Sequence, residues 1–221
     1  MESMRVCLAS TSPARLMLLR QAGIEPLILA PEVDEDAVGA AAEAERGAPL
    51  APEELVLLLG RAKAADVAGR LAASDPSFDG IVIGGDSMFA LDGRVYGKPY
   101  TAEEATRRWI EMRGRTGVLH SGHSVLRVQP GHPPREAHAV AEASVTFAED
   151  VSDAEIAAYV ASAEPLHVAG AFTVDSLGAA FITRVEGDPS TVVGMSLSTL
   201  RTLAAELGVT WTDLWDAPGQ P

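Results

Sequence analysis

The sequence predicts an α/β protein built on a mixed β-sheet. Three observations carry that expectation. Apolar runs at residues 5–9 and 80–84 have the length of buried strands. Residues 14–22 and 52–71 place their apolar side chains at helical spacing. The second half changes period, and residues 116–128 and 139–147 alternate like antiparallel strands.

The elements follow in order. The strand at 5–9 runs into Ser10-Thr11-Ser12. Ser12 is placed as an N-cap and Pro13 as the first residue of a helix that Gly23 stops. Residues 27–30 read as a second strand, ended by Pro31. Residues 31–54 carry eight acids against one base, Arg46, and the small, polar stretch at 39–50 reads as a loop or mobile flap. Pro52 opens a long helix to about Leu71, with Lys63 inside it. The strand at 80–84 ends at Gly85-Asp86-Ser87, and residues 88–91 continue apolar. Asp92-Gly93 is a hairpin turn. Val95 and Tyr96 return from it, and Gly97-Lys98-Pro99 breaks the return strand. Thr101 with Glu104, and Ser152 with Glu155, form capping boxes that open helices to about Arg113 and Ser162. Residues 179–183 read as a strand, 191–193 as a short apolar segment and 198–207 as a final helix ended by Gly208. The tail at 213–221 reads as frayed, with Trp211 and Trp215 as candidates to dock it. A cleft between two lobes would bring the strand ends at Ser10 and Asp86 together.

Composition excludes several classes. The 221 residues suffice for one large domain or two joined lobes, and 47% are apolar. A net charge of −14 is the opposite of what nucleic-acid binding needs, so no nucleic-acid partner is expected. A lone cysteine, Cys7, allows no internal disulfide, and its apolar neighbours Val6 and Leu8 mark it as a buried small hydrophobe. No apolar run approaches the roughly 20 residues that cross a bilayer, and no signal-peptide pattern opens the chain. No membrane association and a cytoplasmic location are expected.

Chemistry concentrates in a few places. Ser10, Ser12 and Arg15 surround a helix N-terminus, whose free N–H groups suit a phosphate; a plain Ser cap with a surface Arg is the ordinary alternative. Asp86 stands beside two glycines, where a carboxylate can ligate Mg²⁺ or activate water, or simply occupy a turn. Glu35 offers a second carboxylate. Lys98 offers a cation in a rigid turn, and Lys63 a third cation, although a helix Lys is usually only solvated. Together these make up the recurring kit for phosphoryl transfer. Other patterns fail. Gly97-Lys98-Pro99 is no Walker A loop, Phe89 breaks a nucleophile elbow, and His120 with His123 lacks a third zinc ligand. No Gly-x-Gly-x-x-Gly run supports a dinucleotide. Met88, Met112 and Met195 read as core filler.

These segments, in this order, resemble the Maf family of nucleoside triphosphate pyrophosphatases. The resemblance spans about residues 5–207, leaving 208–221 as a C-terminal tail to a single domain over 1–221. It rests on Ser10-Thr11-Ser12-Pro13-Ala14-Arg15, Val33-Asp34-Glu35, Lys63-Ala64, Gly85-Asp86-Ser87, Gly97-Lys98-Pro99, Ser121-Gly122, Glu164-Pro165-Leu166 through Ala169-Gly170, Glu186-Gly187-Asp188-Pro189 and Val192-Val193-Gly194. It implies an elongated mixed sheet flanked by helices, with two lobes around a deep cleft, in a protein that is often a homodimer. It also implies hydrolysis of a nucleoside triphosphate, whether standard, modified or non-standard, to the monophosphate and pyrophosphate, and a link to septum formation. The family's catalytic aspartate falls on Asp86, which would share Mg²⁺ or Mn²⁺ with Glu35. Ser10, Ser12, Arg15, Lys63, Ser87 and Lys98 would bind substrate.

The departures concern the base. Members acting on dTTP and UTP carry two arginines after Ser-Pro, where this chain has Ala14 and then Arg15. Ser87 replaces the usual Thr. Asp175 stands where a Gln is expected, and an ionised carboxylate accepts hydrogen bonds but donates none. Asp175 is therefore a substrate-binding candidate suited to a purine edge or a cationic base. Leu166-His167 resembles the branch acting on 7-methyl-GTP. The rival readings are an inosine-triphosphate-type pyrophosphatase and a non-catalytic nucleotide-binding regulator of cell division.

Overall fold

A computed structural model describes residues 4–216. In chain order its elements are β1 (Arg5–Ala9), α1 (Pro13–Gln21), β2 (Leu27–Ile28), α2 (Glu35–Arg46), α3 (Pro52–Ser74), β3 (Gly80–Leu91) and β4 (Arg94–Tyr96). There follow α4 (Ala102–Met112), β5 (Thr116–Val128), β6 (Arg135–Phe147), α5 (Asp153–Ala161), β7 (Ile182–Gly187), α6 (Pro189–Val193) and α7 (Leu197–Glu206). The strands form one mixed seven-stranded sheet in the order β2-β1-β3-β5-β6-β7, with β4 paired to β3. Strand β1 runs parallel to β2 and β3, whereas the β3–β4 and β6–β7 pairs are antiparallel. The expected α/β class and mixed sheet flanked by helices are both present.

The chain divides into two compact units. The first holds the residues up to Asp86, Ser121–Ala141 and the chain from Gly194 on. Its core joins Cys7 and Ala9 of β1, Val82 of β3, Leu126 and Val128 of β5, and the α3 stripe Ala64, Val67, Ala68 and Leu71. Burial pushes the Cys7 thiol up to about 11, so it packs as an inert hydrophobe. Helix α3 meets the sheet at glycines. A Cβ on Gly84 would lie 2.3 Å from the Gly60 carbonyl oxygen, and one on Gly122 would lie 2.3 Å from that of Val56. Only glycine permits backbones this close.

The second unit comprises Ser87–His120 and Glu142–Val193. Its core is aromatic: Phe89, Trp109, Phe147, Tyr159, Phe172 and Phe181 pack mostly edge to face. The β3–β4 turn takes positive φ at both Asp92 (49°) and Gly93 (75°), as a two-residue hairpin of this hand requires.

Four expectations need correction. Residues 39–50 are not a loop, because α2 fills most of the stretch. Asp34 caps it by accepting from the Ala37 N–H at 2.9 Å, Glu35 and Asp36 favour its first turn, and Gly47 closes it in the left-handed region at φ 75°. Alanine, read as a sign of a loop, is the strongest helix former. Strand β3 does not end at Gly85-Asp86-Ser87 but runs through it to Leu91. Neither Gly84 nor Gly85 takes positive φ, so these glycines serve close packing rather than a turn. Residues 177–181 form a 3₁₀ turn, and the strand begins only at Ile182. The tail is docked as far as Asp216. The Met4 N–H donates to the Asp213 carbonyl and the Asp216 N–H to that of Gly23, both at 2.8 Å, and Leu214 is buried. Residues 217–221 lie outside the described residues.

Gly122→Ala is expected to destabilise the protein by about 1–3 kcal/mol or more, because its Cβ would strike backbone that cannot step aside. Gly69→Ala, in α3 with open space at its Cβ, is expected to stabilise it by about 0.5–1 kcal/mol. Urea unfolding of the two variants checks this contrast of sign.

Candidate active site

Six of the expected site residues converge within the first unit. Strand β1 ends at Ala9, just before Ser10, and Ser12 caps α1 by accepting from the Arg15 N–H at 3.4 Å. The Ser10 hydroxyl oxygen accepts from the Ser12 N–H (3.1 Å) and from Arg15 Nη1 (3.3 Å). Arg15 is 8% exposed, and its Nε donates to the Gly194 carbonyl at 2.9 Å. Burial draws the Arg15 pKa down, and the carboxylates of Asp86 and Glu35 push it back up. This arginine is therefore no surface charge. Its guanidinium is held by backbone and hydroxyl oxygens within the field of two carboxylates.

Those carboxylates meet at Lys63. Its side chain is 7% exposed, and Nζ lies 2.7 Å from Asp86 Oδ1 and 2.8 Å from Glu35 Oε1. Geometry explains the contact. Gly84 and Asp86 alternate onto the same face of β3, and Lys63 lies one turn beyond Gly60 on α3. Where glycines let the two backbones touch, the ammonium is carried to the carboxylate. Asp86 is 14% exposed and Glu35, at the first turn of α2, is 50% exposed, so the cluster opens toward Glu35. The ordinary expectation of a solvated helix Lys fails here.

The remaining candidates belong to the second unit. Ser87 follows Asp86 on β3 and, by strand alternation, faces the opposite side. Lys98 is exposed between Gly97, whose carbonyl accepts from Arg108, and Pro99. Asp175 is exposed in a bend before the 177–181 turn.

Two residues had no role assigned from sequence. Ser121 is fully buried, and its hydroxyl donates toward the Asp86 carbonyl (3.4 Å) and that of Gly194 (3.2 Å), joining the backbone at Asp86 to that near Arg15. The motif Ser121-Gly122 was visible, but only the fold shows what it touches. Glu164, in the second unit, gathers five donors. Burial acts to raise its pKa, but hydrogen bonds from Thr173, Ser176, Gly178 and Leu177 outweigh it and hold the group at about 2. His123 is buried with Nε2 accepting from the Ser196 N–H at 2.8 Å, and His120 faces Glu142 at 3.0 Å, so both histidines have structural partners.

Among the described residues no group of three or more His, Cys, Asp or Glu forms a metal site. Asp86 and Glu35 instead present two hard oxygen donors around one cationic position, now shared with Lys63. That set fits a Mg²⁺-type ion, which takes one or two carboxylates and fills its shell with water and phosphate oxygens.

The model of the family described as Maf-like protein matches residues 5–207. A nucleoside triphosphate pyrophosphatase of Leifsonia xyli subsp. xyli is 58% identical over 98% of this chain and 99% of that one. Another, from Rhodococcus jostii, is 50% identical over 96% and 97%. The solved structure of the Staphylococcus aureus Ham1 protein shares 12% identity over 66% of this chain and 72% of that one, with a TM-score of 0.31, too low to bear on the fold.

Lys63→Met leaves two facing carboxylates without their buried cation, and is expected to cost about 3 kcal/mol in urea unfolding. For Glu164 the folded pKa lies below the ordinary 4.5, so the stability it contributes is present above that value and is lost as pH falls toward about 2. Glu164→Gln is expected to flatten the dependence of unfolding free energy on pH over that window.

Proposed function

The chain belongs to the Maf-like protein family, and from that premise we propose that it hydrolyses a nucleoside triphosphate to the monophosphate and pyrophosphate. The observation that carries this reading is the Lys63 ammonium held between Asp86 and Glu35 in the same unit as Arg15 and the N-terminus of α1. A site for cleaving a phosphoanhydride needs a carboxylate that can take a proton from water, and fixed positive charge for the phosphates. Both are present.

In the proposed reaction, Asp86 meets Lys63 through Oδ1 and takes a proton from water. The water oxygen bonds to the α-phosphorus as the bond from that phosphorus to its bridging oxygen breaks. Pyrophosphate leaves with the bridging oxygen. Lys63 keeps the Asp86 carboxylate oriented, and a further N–H of its ammonium is suited to a phosphate oxygen. Arg15, Ser10, Ser12 and the positive end of the α1 dipole provide the anion-binding end. A divalent cation, Mg²⁺ or Mn²⁺, held by Asp86 and Glu35, would screen the triphosphate charge when bound. Ser87, Lys98 and Asp175 enter as substrate contacts on the family resemblance, with Asp175 suited to a purine edge or a cationic base.

A non-catalytic nucleotide-binding regulator would have no use for a carboxylate set against a buried ammonium, which favours the enzyme. Purified protein with Mg²⁺ or Mn²⁺ is expected to release pyrophosphate from at least one of UTP, dTTP, CTP, 5-methyl-UTP, 7-methyl-GTP and ITP. Asp86→Asn is expected to lower that turnover by about 10²–10⁴-fold with its circular dichroism unchanged. Tight nucleotide binding with no release from any of them would overturn hydrolysis in favour of the regulator.

A further inference from the structure

Residues 163–178 are held in an unusual degree of constraint. Ala163 and Ala171 adopt left-handed backbone, φ 64° and 61°, and Gly170 joins them at 75°. Such conformations are costly for residues with a Cβ and persist where the surroundings impose them. The Trp109 indole N–H fixes one of them by donating to the Ala171 carbonyl at 2.7 Å.

Glu164 supplies the second anchor. Its Oε1 accepts from the Thr173 hydroxyl (2.5 Å), the Tyr159 hydroxyl (3.0 Å) and the Gly178 N–H (3.0 Å). Its Oε2 accepts from the Ser176 hydroxyl (2.7 Å) and the Leu177 N–H (3.2 Å). One carboxylate therefore ties the chain on both sides of Asp175: at 173 before it, and at 176, 177 and 178 after it. Closure needs glycine at 178, where a Cβ would come within 2.6 Å of the Tyr159 hydroxyl and 2.8 Å of the Thr173 carbonyl oxygen. Asp175, between the ties, is exposed. An amide cannot replace the carboxylate, because its NH₂ end would face donors. A shorter Asp would not reach both sides.

We propose that Glu164 is a positioning residue for nucleotide selection, fixing the turn that presents Asp175 without touching substrate itself. This rests on the hydrolase reading and on Asp175 as its base contact. Three variants test it across the six nucleotides: Glu164→Gln, Asp175→Ala and the double variant. Glu164→Gln is expected to raise KM for the preferred nucleotide about tenfold, to shrink its kcat/KM advantage over the next base by a similar factor, and to affect kcat less. Asp175→Ala should shrink the same ratio, and the double variant no further. Hydrogen exchange at the Leu177 and Gly178 amides should accelerate in Glu164→Gln. If that variant fails to fold, Thr173→Val with Ser176→Ala removes donors, keeps the charge and should shift the ratio in the same direction. A uniform loss across all nucleotides, or effects of Glu164→Gln and Asp175→Ala that multiply, would overturn the proposal. Should the wild type bind nucleotides without releasing pyrophosphate, only hydrolysis fails, and calorimetric Kd ratios decide the inference by the same criteria. No nucleotide binding at all would overturn both.

Discussion

Helix α3 passes over β3 and β5 with almost no side-chain volume between the backbones, because Gly60, Gly84 and Gly122 occupy the points of approach. This contact sets the depth at which Lys63 sits and so the partner it can reach. A bulkier residue at any of these points would lift the helix, and the ammonium would move away from Asp86. Ser121, just before Gly122, holds the Asp86 backbone from the other side. The candidate site thus depends on a packing constraint that involves no functional side chain.

The electrostatics follow from that burial. A chain of net charge −14 is poorly suited to attract a triphosphate from a distance. Within the first unit, however, Arg15 and Lys63 are both withdrawn from water and set beside Asp86 and Glu35. Their fields are screened less than those of surface charges. Surface pairs such as Arg20 with Glu25 contribute little by comparison.

Glu164 and Lys63 solve similar problems with opposite signs. Each is a single charged group to which several partners are tied: two carboxylates on Lys63, five donors on Glu164. Charge-assisted hydrogen bonds of this kind give local rigidity that a short segment could not obtain from apolar packing alone. In the first unit the result is an oriented carboxylate, and in the second a fixed turn around Asp175.

The sequence by itself determined the class of fold, the order of nearly all the elements and the identity of the candidate residues. Strands, caps and glycine stops are local signals, written within a few residues of where they act. Asp86, Arg15 and Lys63 were legible because residue type and order survive without coordinates. It misread 39–50 because alanine and small polar residues look alike in a loop and in a well-capped helix, and it misread Gly85 because a glycine for turning and one for close approach look the same along the chain. Only the tertiary structure decided that Lys63 is buried between two carboxylates, that Ser121 grips the Asp86 backbone and that Glu164 closes the turn around Asp175. These contacts join residues from nine to 35 positions apart, and no local pattern records such a meeting.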